Sequence, residues 1–96
     1  MTIEQALQLE IQESKRWVDT ADGVYKRDLI KRIEVINWVL EQMKNPDIFI
    51  CAVIECKMNA IIDEINKKDS IIEQDALDSE LRILDWILYQ VCSNER

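Results

Sequence analysis

Apolar residues recur along the first part of this chain with the spacing of an α-helix. One face carries the apolar and small residues Ile3, Leu7, Ile11, Ser14, Trp17 and Val18. Thr2 followed by Gln5 has the spacing of an N-terminal capping box, and Gly23 can adopt a positive φ at low cost. The pattern therefore predicts a first helix over about residues 3–19 and a turn at Gly23.

The next apolar stripe predicts a second helix over about residues 24–44. Its members are Leu29, Ile33, Ile36, Leu40 and Met43. Asn45, Pro46 and Asp47 then suit a helix N-terminus, as the cap, the first helical position and the first turn. We expect a third helix over about residues 46–67.

Residues 48–54 form an unbroken apolar run that fits either a helix or a buried strand. A lone strand has no partner, and the residues after it are strongly helical in composition, which favours a helix. A helix that is apolar on most sides is expected at the centre of a bundle or beneath another subunit. Ser70 and Glu73 then mark the start of a fourth helix over about residues 71–92.

The fourth helix repeats the second helix forty-eight residues later. The core ladder of the second helix matches Leu77, Leu81, Leu84, Leu88 and Val91. Trp38 matches Trp86 and Gln42 matches Gln90. Two unrelated amphipathic helices would share an apolar ladder by chance, but they would have no reason to share these residues as well. The pattern thus predicts two tandem helical hairpins, over residues 2–44 and 46–93, that pack into one four-helix bundle.

Composition agrees with an all-α fold and one domain over residues 1–96. The single Gly and single Pro leave too few turn residues for an all-β fold. The net charge of −7 disfavours direct binding to nucleic acid or to anionic membranes. The longest apolar run is too short to span a bilayer, and the first residues lack signal-peptide features. We expect a cytoplasmic protein, or one acting in a host cytoplasm if a phage encodes it.

The three cysteines Cys51, Cys56 and Cys92 form an odd set without a Cys-x-x-Cys pair. We expect buried, reduced thiols rather than a disulfide framework. Histidine is absent, so three scattered cysteines cannot complete a zinc site. The sequence predicts no metal and no cofactor.

Few residues suited to catalysis are present, because the chain has no histidine and no Gly-rich phosphate loop. Glu10-x-x-Glu13 and Asp75-x-x-Asp78 place acids one helical turn apart, a spacing that can hold Mg²⁺. These pairs are similar to those of all-α nucleotide pyrophosphohydrolases. That family adds a later Glu-x-x-Asp, whereas this chain offers only Glu34-x-x-Asn37 and Glu41-x-x-Lys44. We expect a protein that is not an enzyme, with a Mg²⁺-dependent hydrolase as the lesser alternative.

Charge is unevenly distributed between the two hairpins. A basic patch surrounds the first turn: Lys15, Arg16, Lys26, Arg27, Lys31 and Arg32. The second hairpin is acidic, with Asp75, Asp78, Glu80 and Asp85 as candidate partner-binding residues. This distribution fits ordinary surface charges paired within the chain, polar association between chains, or partial mimicry of a nucleic acid.

Aromatic residues complete the set of candidates for partner binding. These are Trp17, Trp38, Trp86 and Tyr89. Tryptophan is enriched at interface hot spots, and the paired tryptophans lie beside the main ladder. We expect a small non-enzymatic interaction module, an adaptor or inhibitor that binds a protein partner and itself as a homodimer. The alternative is a phage-type acidic inhibitor of a nucleic-acid-handling or host-defence enzyme.

Overall fold

The computed structural model describes residues 2–92, which fold into four helices and contain no strand. These are α1 (Ile3–Val18), α2 (Gly23–Met43), α3 (Ile50–Lys67) and α4 (Ile71–Cys92). The predicted all-α architecture of two hairpins is confirmed. Met1 and residues 93–96, which the predicted domain and second hairpin included, lie outside the described residues.

The first hairpin has the N-terminal capping box and the glycine turn that its sequence predicts. The Thr2 hydroxyl accepts a hydrogen bond from the Gln5 amide at 3.1 Å, and the Gln5 side chain accepts one from the Thr2 amide at 2.9 Å. This capping box satisfies backbone donors that a helix start leaves open. Gly23, at the start of α2, has a φ of 57°, a region that L side chains rarely adopt.

The connection between α2 and α3 differs from the prediction. Asn45 does not cap a helix beginning at Pro46. Instead its side-chain oxygen accepts a hydrogen bond from the Asp47 amide at 3.0 Å, and its backbone oxygen accepts one from the Ile48 amide. These bonds form a turn that competes with helix formation, so α3 begins four residues later at Ile50. Within the run 48–54, the residues from Ile50 onward are helical.

One glutamine links the ends of α3 and α4. The Gln74 side-chain nitrogen donates to the backbone oxygen of Lys68 at 2.7 Å and to that of Ile65 at 3.5 Å. Carbonyl groups at a helix C-terminus have no partner within the helix. Gln74 thus satisfies the end of α3 from the first turn of α4 and fixes the geometry of the second hairpin.

The hairpins pack with α2 and α4 side by side at the centre. The extensive contacts are α1 with α2, α3 with α4, and α2 with α4. Arg27 bonds to Asp75 and Asp28 to Ser79, so the N-terminal halves of α2 and α4 are adjacent and the two helices run parallel. Both hairpin turns therefore lie at the same end of a flattened molecule of 37 × 33 × 21 Å.

The core follows the predicted repeat. Residues 33–42 and 81–90 show the same order of buried, half-buried and exposed positions. Ile36 and its equivalent Leu84 are fully buried, as are Val39 and its equivalent Ile87. One cluster of buried side chains joins all four helices, with Leu7 from α1 and Ile54 from α3. The apolar ladder of each hairpin's second helix forms the middle of this cluster.

Of the two positions expected for the third helix, the centre of the bundle is not the one that it takes. Its main contacts are with α4, and Phe49 and Ala52 at its start are exposed. Cys51 and Ile54 are the buried members of that apolar run. The centre is occupied by α2 and α4 because each has apolar residues facing two neighbours. That another subunit covers α3 stays a prediction.

The cysteines also differ from the prediction of three reduced, buried thiols. Cys51 at the start of α3 and Cys92 at the end of α4 form a disulfide with a Cα–Cα distance of 6.2 Å, and Cys56 is free and exposed. In an antiparallel hairpin these two helix ends meet, so the bond closes the open side of the second hairpin. Over residues 2–92, no helix has the length and apolar character to cross a membrane.

Candidate partner-binding groove

The side of the bundle between α1 and α4 is open. These two helices are not among the extensively packed pairs, and two hollows lie along them. The hollow near the turns has a volume of about 480 Å³ and lies between α2 and α4. The hollow at the other end, about 300 Å³, lies between α1 and α4. Both hollows are bordered by α4, and we refer to the two together as the α1–α4 groove.

Arg32 on α2 joins the two hollows. Its guanidinium donates a hydrogen bond to a carboxylate oxygen of Glu10 on α1 and lies 5.9 Å from the centre of the Trp86 ring on α4. A guanidinium over an indole face is attracted by the ring quadrupole. One side chain thus connects three helices where α1 and α4 do not pack against each other.

A polar network occupies the hollow near the turns. Arg27 donates to Asp75 at 3.1 Å and to Asp28 at 3.2 Å, and the Ser79 hydroxyl donates to Asp28 at 3.1 Å. The hydrogen bond to Asp75, followed by that to Asp28, raises the pKa of Arg27 above its ordinary value. Arg82 pairs with Asp78 at 3.0 Å on the same wall. Each guanidinium of this wall thus has a carboxylate partner.

The aromatic residues on either side of the first turn are exposed. Tyr25 lines the polar hollow and leaves 59 % of its surface exposed. Trp17, 51 % exposed, lies seven residues after Glu10 and therefore on the same stripe of α1. Trp17 is not among the residues that line either hollow.

The other hollow is more apolar. It is lined by Thr2, Ile3, Ala6, Leu7, Leu9, Glu10, Trp86 and Gln90. Leu9 leaves 47 % of its surface exposed, whereas Trp86 is half-buried against the core. The groove therefore offers an apolar half near the start of α1 and a charged half near the turns.

The structure brings some of the predicted site residues together and separates others. Five line the groove: Arg27, Arg32, Asp75, Asp78 and Trp86. Trp38 lies on the other side of the bundle, where the Lys57 ammonium is 5.4 Å from the ring centre. Asp85 and Tyr89 lie on the exposed face of α4, and Glu80 is half-buried. The aromatic candidates thus do not form one surface.

The predicted basic patch is largely paired with acids. Beyond the arginines of the groove, Arg16 pairs with Glu13 at 3.7 Å and Lys31 with Glu34 at 3.4 Å. Lys15 and Lys26 are exposed, and neither has an ion-pair partner within residues 2–92. The basic first turn and the acidic second hairpin meet inside one chain, through the bond from Arg27 to Asp75.

The carboxylate pairs of the hydrolase alternative are bonded to arginine. Glu10 pairs with Arg32, and Asp75 and Asp78 pair with Arg27 and Arg82. Within residues 2–92, no three potential metal ligands among Asp, Glu and Cys converge. A cation at either pair would have to compete with a guanidinium that is already in place.

Sequence reasoning missed several residues of the groove. These are Leu9, Tyr25, Asp28, Ser79 and Arg82. One signal was present, because Arg27 and Asp75 occupy equivalent positions of the repeat, forty-eight residues apart, with opposite charges. Equivalent positions of a two-hairpin bundle meet near its pseudo-twofold axis, so such a pair is a candidate contact. Comparison with known protein families, curated proteins and solved structures finds no match for this chain.

Proposed function

We propose that this protein is a non-enzymatic interaction module that binds a helical segment of a partner protein in the α1–α4 groove. The observation that carries the proposal is the open side of the bundle, where exposed Tyr25 lines one hollow and exposed Leu9 lines the other. Exposed apolar side chains beside a concave, partly charged surface are typical of partner-binding sites.

The shape of the groove favours a helix as the occupant. The antiparallel helices α1 and α4, of 16 and 22 residues, border one hollow, and α2 and α4 border the other. Helices of this length span about 24–33 Å, enough for several turns of a bound helix. Amphipathic helices commonly bind in such grooves through anchors spaced three, four and seven residues apart.

The two halves of the groove define the chemistry of the partner. Leu9 and Trp86 would take apolar anchors, with Trp86 held in place by Arg32. Near the turns, Tyr25 would contact an aromatic or aliphatic side chain, while Asp78 and Arg82 offer charged partners at the rim. The expected segment is therefore apolar at one end and carries charges of both signs at the other.

Quantitative affinity capture from a native lysate tests this proposal. The immobilised wild-type chain is compared with Leu9→Asp and Tyr25→Ala, which alter exposed groove residues without opening the core. Tyr89→Ala, on the exposed face of α4, is the matched control. We expect a partner that the wild type and the control retain, and that each groove variant retains about tenfold less well.

Two results would contradict the groove as the binding site. Equal capture by all four proteins would show that the partner binds elsewhere. Capture that falls steeply with added salt and depends on Glu80 and Asp85 would instead favour the acidic-inhibitor alternative. Circular dichroism of each variant, performed beforehand, establishes that its helix content is unchanged.

A further inference from the structure

The disulfide of the second hairpin joins two helix ends that differ in exposure. Cys51 is the second residue of α3 and is buried, whereas Cys92 is the last residue of α4 and is half-buried. The last turns of α4 also carry Trp86 and Gln90, which line the smaller hollow between α1 and α4. The bond therefore ties to α3 the helix end that borders this hollow.

The first hairpin closes at the same end without a covalent bond. The positions equivalent to Cys51 and Cys92, forty-eight residues earlier, are Ile3 and Lys44. Ile3 packs against the core, while Lys44 is exposed and pairs with Glu41. Packing is thus sufficient to hold this end of the first hairpin together. The disulfide adds a constraint to the second hairpin that its equivalent does without.

Cys56 is a free, exposed thiol on the same helix as Cys51. It lies five residues after Cys51, which is about 7.5 Å along the helix axis and about 140° around it, so it occupies a different face of α3. An exposed thiol in oxidising surroundings tends to pair with thiols of other molecules. A free thiol beside a disulfide therefore favours surroundings in which disulfides both form and break.

We infer that the bond between Cys51 and Cys92 is a reversible redox switch that holds the last turn of α4 in place when formed and releases it when reduced. With the bond formed, this turn cannot leave α3 unless the first turn of α3 moves with it. Without the bond it can open alone, as helix ends do. Val91 remains in the core in either state, so reduction loosens the helix end without unfolding the hairpin.

A dithiol is the chemical class of reductant that operates the switch. Because Cys51 is buried and Cys92 is half-buried, a thiolate of the dithiol attacks the Cys92 sulfur. The S–S bond breaks, its electron pair leaves on the Cys51 sulfur, and that sulfur takes up a proton. The second thiol of the reductant then attacks the mixed disulfide and releases Cys92, which is protonated in turn. The chain gains two electrons and two protons, and the reductant becomes its own disulfide.

The smaller hollow changes with the switch. Gln90 lies two residues before Cys92, whereas Trp86 lies six residues before it and has the Arg32 guanidinium over its ring. Loosening of the last turn therefore displaces Gln90 and leaves Trp86 in place. The oxidised chain thus has the better-formed hollow. Its effect on partner binding rests on the proposed function, in which this hollow takes an apolar anchor.

Hydrogen exchange followed by mass spectrometry tests the switch in Cys56→Ser, which keeps both bonded cysteines and removes the competing thiol. We expect the amides of residues 88–92 to exchange about tenfold faster after reduction with a dithiol. The equivalent residues 40–44, at the end of α2, are the internal control and should exchange equally in both states. A variant with Cys51→Ala and Cys92→Ala should match the reduced chain and not respond to the reductant.

The urea dependence of the reduction rate distinguishes a switch from a structural cross-link. Reduction that requires global unfolding accelerates steeply with urea, because urea raises the population of unfolded chains. Attack on the folded chain depends little on urea below the unfolding transition. We expect the second behaviour, and we expect the bond to form again when an oxidised dithiol replaces the reductant.

Three results would overturn the inference. These are equal exchange of residues 88–92 in both states, an equal acceleration of exchange at residues 88–92 and 40–44, and a reduction rate that rises with urea as steeply as global unfolding. These measurements use the chain alone, whereas partner capture is tested with Leu9→Asp and Tyr25→Ala. The switch and the proposed function can therefore fail independently.

Discussion

Arg32 and Trp86 form one of the contacts that link the first hairpin to the second. The guanidinium lies 5.9 Å from the ring centre, while its hydrogen bond to Glu10 anchors it to α1. In the repeat, Trp86 is equivalent to Trp38, whose ring is covered by Lys57 instead. The two hairpins thus use the same aromatic position with different cations, and only the arginine also binds a carboxylate on a third helix.

This relationship predicts unequal costs for removing the two cations. Arg32→Ala loses the cation–π contact and the charged hydrogen bond to Glu10, so we expect a loss of about 1–2 kcal/mol in the free energy of unfolding. Lys57→Ala removes a single cation–π contact between half-buried side chains and should cost about 0.5–1 kcal/mol. Urea unfolding followed by far-ultraviolet circular dichroism measures both. Equal losses for the two variants would show that Glu10 adds nothing.

Ile36 and Leu84 occupy equivalent positions of the repeat, and we expect truncation of either side chain to lower the free energy of unfolding equally. Both are fully buried in the same cluster, at equivalent positions of α2 and α4. Substitution by alanine removes buried carbon atoms and leaves a cavity, which typically costs 2–5 kcal/mol. We expect both variants to fall in this range and to differ by less than about 1 kcal/mol, as judged by urea unfolding. A cost below about 1 kcal/mol at either position would contradict the shared core.

Ile36 and Leu84 show why the fold could be predicted from the sequence. Hydrophobic spacing of 3.6 residues determines which face of a helix is buried, so the ladder through Ile36 and Leu84 follows from the sequence alone. The repeat then indicates that α2 and α4 contribute equivalent faces to the core. Residues 45–49 could not be predicted as well, because local bonds from Asn45 competed with a helix start that the same residues also suit.

Neither the groove nor the disulfide could be predicted from the periodicity of apolar residues along the chain. The groove exists because α2 and α4 pack together at the centre and leave α1 and α4 apart, which is a property of how the hairpins pack. The pairing of Cys51 with Cys92 depends on which helix ends meet. Both would have followed from treating the chain as antiparallel hairpins around a pseudo-twofold axis, since that geometry brings these two cysteines together.

Gly23 provides a test of the first turn. Its φ of 57° is disfavoured for residues with a Cβ, although an added Cβ would meet no atom within 4 Å. Gly23→Ala should therefore lose stability through backbone strain alone, by about 1–2 kcal/mol. Gly23→Asn should lose less, because asparagine tolerates the left-handed region better. Thermal unfolding of the three proteins gives the order, and an alanine variant as stable as the wild type would contradict this turn geometry.

Removing the disulfide between Cys51 and Cys92 should destabilise the second hairpin without abolishing the helices. The bond joins residues 41 apart and restricts the unfolded chain, so its loss is expected to cost up to about 4 kcal/mol in the free energy of unfolding. We expect the helices to persist because most of the core, including Ile54 and Leu84, consists of other apolar side chains. Cys92→Ser is compared with Cys56→Ser, which removes the free, exposed thiol and should leave stability unchanged.

Thiol labelling followed by mass measurement identifies the bond directly. The unfolded but unreduced chain should take up one label, at Cys56, and the reduced chain should take up three. Urea unfolding with and without a dithiol reductant then gives the contribution of the bond, and in Cys92→Ser the reductant should have no further effect. Three labels before reduction would show that the thiols are free, as the sequence alone had suggested. In that case the hairpin would be held by Gln74 and the apolar core without a covalent link.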